Sequence, residues 1–351
     1  MAFAGKKILV VGGAGFVGSN LCHKLLESSV DSIYVVDNLL SAEIENLPEN
    51  SKIKFFLGSI ADQRILEEIG TNFNYVFHLA TFHGNQSSIH DPIRDHENNT
   101  LTTLKLCEHF KNTNKIEKFI YSSAGCTVAK KTYDDAEATD EEASVSLYHD
   151  SPYQISKIVG EFYGNYYWMK HKLPFVKARF QNVYGPREIL GAGEWRGTSA
   201  TIWRNVTPTF IWKSLLEESL PLENEGKASR DFIYVDDIVA GLIACALKGK
   251  KGDVYNLASG VETDIKTLAE TINNLTENPT PIEYKNPRPW DRSGKRFGST
   301  EKAEKELGFT ANITLDVGLE RTIKWTMENR DLIIKNINKH HHVLSETSSD
   351  R

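Results

Sequence analysis

A short apolar run, Lys7-Ile8-Leu9-Val10-Val11, passes without a break into Gly12-Gly13-Ala14-Gly15-Phe16-Val17-Gly18, and a helical pattern follows from Ser19 to about Glu27. A continuous apolar run of this length suits a strand buried on both faces of a parallel sheet. Glycines at 12, 15 and 18 allow a tight turn, a close backbone approach to a pyrophosphate and close helix–strand packing. The helix start then turns its amides and dipole on the negative charge. The loop has the strand before it and the helix after it that a dinucleotide site requires. A second apolar run, Ile33-Tyr34-Val35-Val36, ends in Asp37, 19 residues after Gly18. A carboxylate there accepts hydrogen bonds from an adenosine ribose and repels a 2′-phosphate, which favours NAD over NADP. The plainer alternative is a glycine turn followed by a chance Asp.

Short apolar runs then alternate with helical patterns. Residues 54–57, 75–79, 118–122, 175–180 and 253–257 read as further strands. This βαβ rhythm predicts an α/β fold, a Rossmann-type doubly wound parallel sheet with ligands at the carboxyl ends of its strands. Two stretches break the rhythm, 188–226 and the segment after Gly260. They predict a smaller, discontinuous α/β lobe over the substrate. The expected division is 1–183 plus about 228–262 for the NAD-binding part and about 184–227 plus 263–334 for the lobe, with 335–351 a disordered tail.

Composition narrows the partners. With 351 residues, a net charge of −6 and no basic block, nucleic acid and anionic membranes are not expected as partners. The cysteines Cys22, Cys107, Cys126 and Cys245 show no paired spacing, as in a reducing cytosol. No apolar run approaches the ~20 residues of a membrane span. The start leaves no room for a signal peptide. A cytoplasmic location follows as an expectation. His340-His341-His342 reads as part of a solvated tail, and no metal site is expected.

The chemistry centres on Ser151-Pro152-Tyr153-Gln154-Ile155-Ser156-Lys157. Ser151 is a good N-cap, Pro152 a good first helical residue, and Gln154 falls where it completes a capping box. Tyr153 and Lys157 then share a helix face. An ammonium beside a phenol favours the phenolate and lowers its pKa, which makes a general acid/base for neutral pH. Tyr166 and Lys170 repeat the spacing, roughly 20 Å further along the same helix, on what reads as packing surface. An ordinary helix face is the bland reading of either pair.

Several further segments fall in a familiar order: His78-Leu79-Ala80, Asn99, Tyr121-Ser122-Ser123-Ala124, Arg179-Phe180-Gln181-Asn182-Val183-Tyr184-Gly185-Pro186, Arg230 through Asp237, and Arg288-Pro289-Trp290-Asp291. With the glycine run and the Tyr/Lys pair, they make the chain resemble an extended short-chain dehydrogenase/reductase. The specific likeness is to the NAD-dependent nucleotide-sugar epimerase/dehydratase family. The resemblance implies that Tyr153 removes a sugar hydroxyl proton while hydride leaves for NAD, and that Lys157 holds the nicotinamide ribose. It places Phe16, Val17, Asn38, Ser59, Ile60, Leu79, Ala80, Thr81, Asn99 and Ser122 beside NAD. Asn182, Asn205 and Arg230 match positions for the substrate's nucleotide diphosphate. Arg288 and Asp291 match a pair in enzymes of UDP-sugars, and His83 a position near the sugar.

The chain also departs from that family. Its usual catalytic Ser or Thr aligns with Ala124 without a gap and with Ser123 if one residue is inserted; Ser123 is preferred here, with Ser122 and Thr127 in reserve. Dehydrating members commonly carry Asp-Glu next, where this chain has Ala124-Gly125. Ser59 replaces a strand-end Asp often found near the adenine. Cys126 and Glu194-Trp195-Arg196-Gly197 resemble segments of GDP-mannose 3,5-epimerases, so Cys126 is an acid/base candidate as well as a packing thiol. Arg196 reads as an anion or hydroxyl binder, since arginine is a poor base. The leading expectation is a UDP-hexose 4-epimerase. A 4,6-dehydratase, a 3,5-epimerase and a non-catalytic NAD-binding sensor or scaffold remain open. Apolar residues around more than one stripe of the helix opened at Ser151, together with the helix from about His96 to Phe110, predict a homodimer through four helices.

Overall fold

The computed structural model describes residues 2–82, 84–130, 132–287 and 294–343. Twelve strands run β1 (Lys7–Val11), β2 (Ser32–Asp37), β3 (Ile53–Leu57), β4 (Tyr75–His78), β5 (Lys118–Ala124), β6 (Phe175–Phe180), β7 (Asn182–Tyr184), β8 (Pro221–Glu223), β9 (Ser229–Tyr234), β10 (Val254–Leu257), β11 (Glu262–Asp264) and β12 (Glu283–Lys285). Seven of them form one parallel sheet in the order β10-β6-β5-β4-β1-β2-β3. Each apolar run read from the sequence supplies a strand of this sheet. The order reverses between β1 and β4, which opens a crevice at their carboxyl ends.

Helices cover both faces. On one side Phe16–Leu26 and Val235–Lys248 cover a core that includes Ile8, Val10, Ile120 and Tyr255. On the other, Thr102–Phe110 and Pro152–His171 cover Leu9, Val76, Phe119 and Tyr121. Alternate residues of one strand therefore serve opposite cores.

A three-stranded sheet, β11-β9-β7, and the pair β12-β8 build the smaller part around a separate core of Tyr184, Phe232, Leu268 and Leu319. The division differs from the expected one at two places. β9, expected with the cofactor part, pairs with β7 and β11. The helix Glu301–Leu307, expected in the lobe, buries Ala303 and Leu307 in the main core with Phe309.

Of the expected tail 335–351, residues 335–343 are ordered against the body, and 344–351 lie outside the described residues. Arg330–Asn338 is helical and buries Ile333 against Ile189, Leu190, Ala192 and Trp212. His340 is buried and donates from Nε2 to the Gly191 carbonyl at 2.9 Å. Lys335 pairs with Glu45 at 3.2 Å, and Lys339 pairs with Glu43. From Lys335 to Val343 only Ile337 and Val343 are apolar, so that stretch carries no periodic signal of its own. Among the described residues no helix is long and apolar enough to cross a membrane.

Candidate active site

The glycine loop has the shape that a pyrophosphate needs. Gly12 stands at φ +83°, and a Cβ there would lie 2.5 Å from the Ala80 nitrogen. A Cβ on Gly18 would lie 2.1 Å from the Gly12 carbonyl oxygen. Gly15 is the N-cap of the helix Phe16–Leu26 and makes no side-chain cap bond there. Its own Cβ would reach 3.2 Å from Gly12, so the helix start stays bare of side chain. Amides left open at a helix start suit an anion, and the residues present fit NAD.

Asp37 ends β2 and is buried at the rim. Its carboxylate accepts from the Ala14 nitrogen at 3.0 Å and the Leu39 nitrogen at 2.9 Å. Burial pushes its pKa above the usual carboxylate value, and hydrogen bonds from Leu39, Ala14 and Gly15 pull the other way. A cleft of about 310 Å³ runs from this rim. Gly12, Gly15, Phe16, Val17, Gly18, Asn38, Leu79, Ala80 and Thr81 line its first half. A smaller pocket shares Asp37, Asn38, Ala80 and Thr81 with it and is closed by Ser59 and Ile60. Asn99 lies behind this wall, where its Oδ1 accepts from the Phe82 nitrogen at 2.7 Å and the Thr81 hydroxyl at 3.0 Å. It sets the wall without lining the cleft.

Tyr153 and Lys157 enter the same cleft from the helix Pro152–His171. The Ser151 hydroxyl accepts from the Gln154 nitrogen at 3.4 Å and so caps the helix. The expected return bond is displaced by one residue, because Gln154 Oε1 accepts from the Asp150 nitrogen at 3.4 Å. Lys157 Nζ donates to the Ser122 carbonyl at 2.8 Å, with the Ser122 hydroxyl at 3.5 Å. Burial lowers the Lys157 ammonium to about 8, despite Asp95 and Cys126. The effect on Tyr153 corrects the sequence reading. Burial, then Cys126 and Asp95, push the phenol above its usual value, and the lysine does not offset them. Desolvation exceeds the gain from an ammonium already hydrogen-bonded elsewhere. The second pair is outside: Tyr166 is half exposed and rests on Tyr167 and His171.

The Ser123 hydroxyl has a buried partner. It donates to Glu161 Oε1 at 2.5 Å, and Glu161 is held by Arg179 through two bonds of 2.9 Å. Ser123 pairs in register with Arg179 across β5 and β6, so strand alternation aims both at the same buried carboxylate. Ser123 touches the edge of the cleft, but its hydroxyl is committed behind it. Thr127 donates to the Ala124 carbonyl at 2.7 Å, and Ser122 to the His78 carbonyl at 3.1 Å. The half-buried Cys126 does line the cleft.

Asn182 and Asn205 lie on the far wall. Asn205 donates to Glu188 Oε1 at 2.5 Å. Arg196 turns away: its guanidinium is buried and donates to the Leu40 carbonyl at 3.2 Å. Burial and the nearby Arg204 and Arg94 lower it to about 9. Arg230 is held over the chain by the Gly294 carbonyl at 2.5 Å, outside the cleft lining. His83, Arg288 and Asp291 lie outside the described residues. Sequence reasoning missed Glu188, Arg204 and Arg296, all of which line the cleft. Burial pushes the Glu188 carboxyl up to about 7 against Arg204 and Asn205. Arg204 had one readable signal, its place beside Asn205.

The sequence profile of the NAD dependent epimerase/dehydratase family matches residues 8–258. The enzyme WbmF of Bordetella bronchiseptica, solved with NAD+ and UDP, is 54% identical, with 98% of each chain covered and a TM-score of 0.88. The UDP-glucose 4-epimerase of Thermotoga maritima, solved with UDP-glucose, is 31% identical over 92% of this chain and 99% of its own, with a TM-score of 0.83. A dTDP-D-glucose 4,6-dehydratase of Dictyostelium discoideum is 27% identical over 93% of this chain and 82% of its own. Epimerase and dehydratase thus both stand among its relatives. The profile spans most of the chain, from β1 to just past β10, and on that match the chain belongs to the NAD-dependent epimerase/dehydratase family.

Proposed function

We propose that this protein is an NAD-dependent nucleotide-sugar epimerase acting on a UDP-hexose at carbon 4. One observation carries the reading: Tyr153 and Lys157 share one cleft with the bare glycine cradle at one end and Asn182 and Asn205 at the other. Relatives solved with NAD+, UDP and UDP-glucose support the ligand classes. NAD, for which the glycine cradle, Asp37 and Lys157 would be the holding residues, would supply the hydride acceptor and then the donor. Tyr153 takes the proton of the carbon-4 hydroxyl as hydride leaves that carbon, and returns it once the 4-keto sugar has turned over. Lys157 holds the ribose and sets its ammonium 5.9 Å from the centre of the Tyr153 ring. Arg204 and Asn205, both in the cleft lining, are the donors assigned to the diphosphate in this reading, and Asp37 the residue that selects against a 2′-phosphate.

Ala124-Gly125 in place of the acidic pair favours epimerisation over dehydration. Carbon-4 epimerisation returns the same hydride and exchanges no carbon-bound proton. In deuterated water the product of UDP-glucose or its N-acetylated analogue should therefore carry no carbon-bound deuterium and lose no water. Tyr153→Phe should abolish turnover while UDP binding, read by calorimetry, persists. Deuterium at carbon 3 or 5 that disappears in Cys126→Ser would overturn the assignment and make Cys126 the second base.

A further inference from the structure

The polypeptide from Pro92 to Phe110 is not one regular helix. Pro92–Asp95 is α-helical, His96–Leu101 forms a wider π turn, and Thr102–Phe110 resumes the α-helix. Such turns carry an extra residue and recur at functional sites. Here the turn brings Asp95 and Asn99 together against the helix that bears Tyr153 and Lys157. Asn99 Nδ2 donates to Asp95 Oδ1 at 2.7 Å and lies 3.3 Å from the Ser156 hydroxyl. That hydroxyl donates to the Tyr153 carbonyl at 3.0 Å. Asp95 is 1% exposed and lines no part of the cleft.

A carboxyl so placed loses hydration, and burial pushes its pKa up. Ser156, Asn99, Lys157 and His96 pull it back. Its field reaches both members of the reacting pair. The other groups around the pair are differently disposed. His78, on the sheet side, is kept neutral at about 3 by burial and by Lys157. Tyr121 presents its ring to Lys157 Nζ at 5.3 Å. Glu161 is neutralised by Arg179. Cys126 faces Tyr153 from the cleft, and His96 stands beside Asp95. Asp95 is thus a buried carboxyl held by Asn99, with Lys157 and His96 as the cations whose charge draws its pKa down.

We propose that Asp95 is a positioning residue for the reaction: a buried carboxylate behind the site that keeps Lys157 an ammonium and sets the pH window in which the Tyr153/Lys157 pair works. The inference rests on the reading of Tyr153 as the acid/base. Removing the charge without changing the shape makes the phenolate easier to form and the ammonium easier to lose. Both limbs of the pH–kcat profile then move to lower pH.

The test is that profile in Asp95→Asn, Asp95→Ser and Asp95→Glu, with thermal melting and cofactor content as checks of folding. Asn and Ser should shift both limbs down by about one pH unit, the effect of one nearby charge. Glu keeps the charge in a poorer shape, so its limbs should stay in place while kcat falls. Unmoved limbs in a folded Asp95→Asn would overturn the proposal, as would an equal shift in Asp95→Glu. Failure of both uncharged variants to fold would assign Asp95 a structural role and defeat it as well. Tyr153→Phe separates the two layers of argument. If that variant retains turnover, the acid/base reading itself falls, whatever Asp95 does.

Discussion

Lys157→Met should change stability in a pH-dependent way that exposes the cost of burying a cation. The Lys157 ammonium is lowered from an ordinary 10.5 to about 8 in the folded chain. The folded state therefore binds fewer protons than the unfolded state between those two values, and stability rises with pH across that window. At pH 6.5 the native state carries the full penalty, 2.5 units at 1.36 kcal/mol per unit, or about 3 kcal/mol. At pH 9.5 about 1 kcal/mol remains, because most native molecules hold the neutral amine. Methionine has no such term. It also deletes the bond to the Ser122 carbonyl, a loss of about 1–3 kcal/mol. Weaker cofactor binding lowers stability further by mass action. These losses apply at both pH values and largely cancel in the difference. Urea unfolding of wild type and variant at the two pH values should show the variant gaining about 2 kcal/mol on wild type at pH 6.5 relative to pH 9.5. Equal differences at both pH values would refute the argument that desolvation dominates this lysine.

Gly18→Ala tests the cradle. Its Cβ meets backbone at 2.1 Å, so loop or helix must move; we expect loss of about 1–3 kcal/mol and of copurifying cofactor. A variant that still copurifies with stoichiometric NAD would contradict this. Assembly is testable through the long helix, where Ile155, Phe162, Tyr166 and Met169 are 49–67% exposed along one stripe. We expect a homodimer by light scattering, converted to monomer by Phe162→Asp; a wild-type monomer at micromolar concentration would end the proposal.

Features carried by contiguous residues are legible in the amino-acid sequence alone. The strand–glycine–helix unit at residues 7–26, Asp37 at the next strand end, and Tyr153 four residues before Lys157 all depend on local periodicity and local steric rules. The direction of Ser123 is not legible in the sequence, because its alignment leaves it undecided. A shift of one residue along a strand moves a side chain to the other face. Register with Arg179 aims it at Glu161.

Local sequence is enough for the parallel α/β sheet and the cofactor class, and it singles out Tyr153 and Lys157 as the candidate pair, since each lies in a short segment with its own signature. The neighbours that act on that pair come from tertiary folding. It sets Asp95 behind Lys157 through a π turn, turns Arg196 toward the Leu40 carbonyl, and brings Glu188 and Arg204 to the cleft wall. It also folds the polar C-terminal helix onto the loop of Ile189 and Leu190. Burial makes the difference. The phenol and the ammonium take their pKa values from desolvation and from charges brought near by chain segments distant in sequence, and no local pattern encodes how far a group will stand from water.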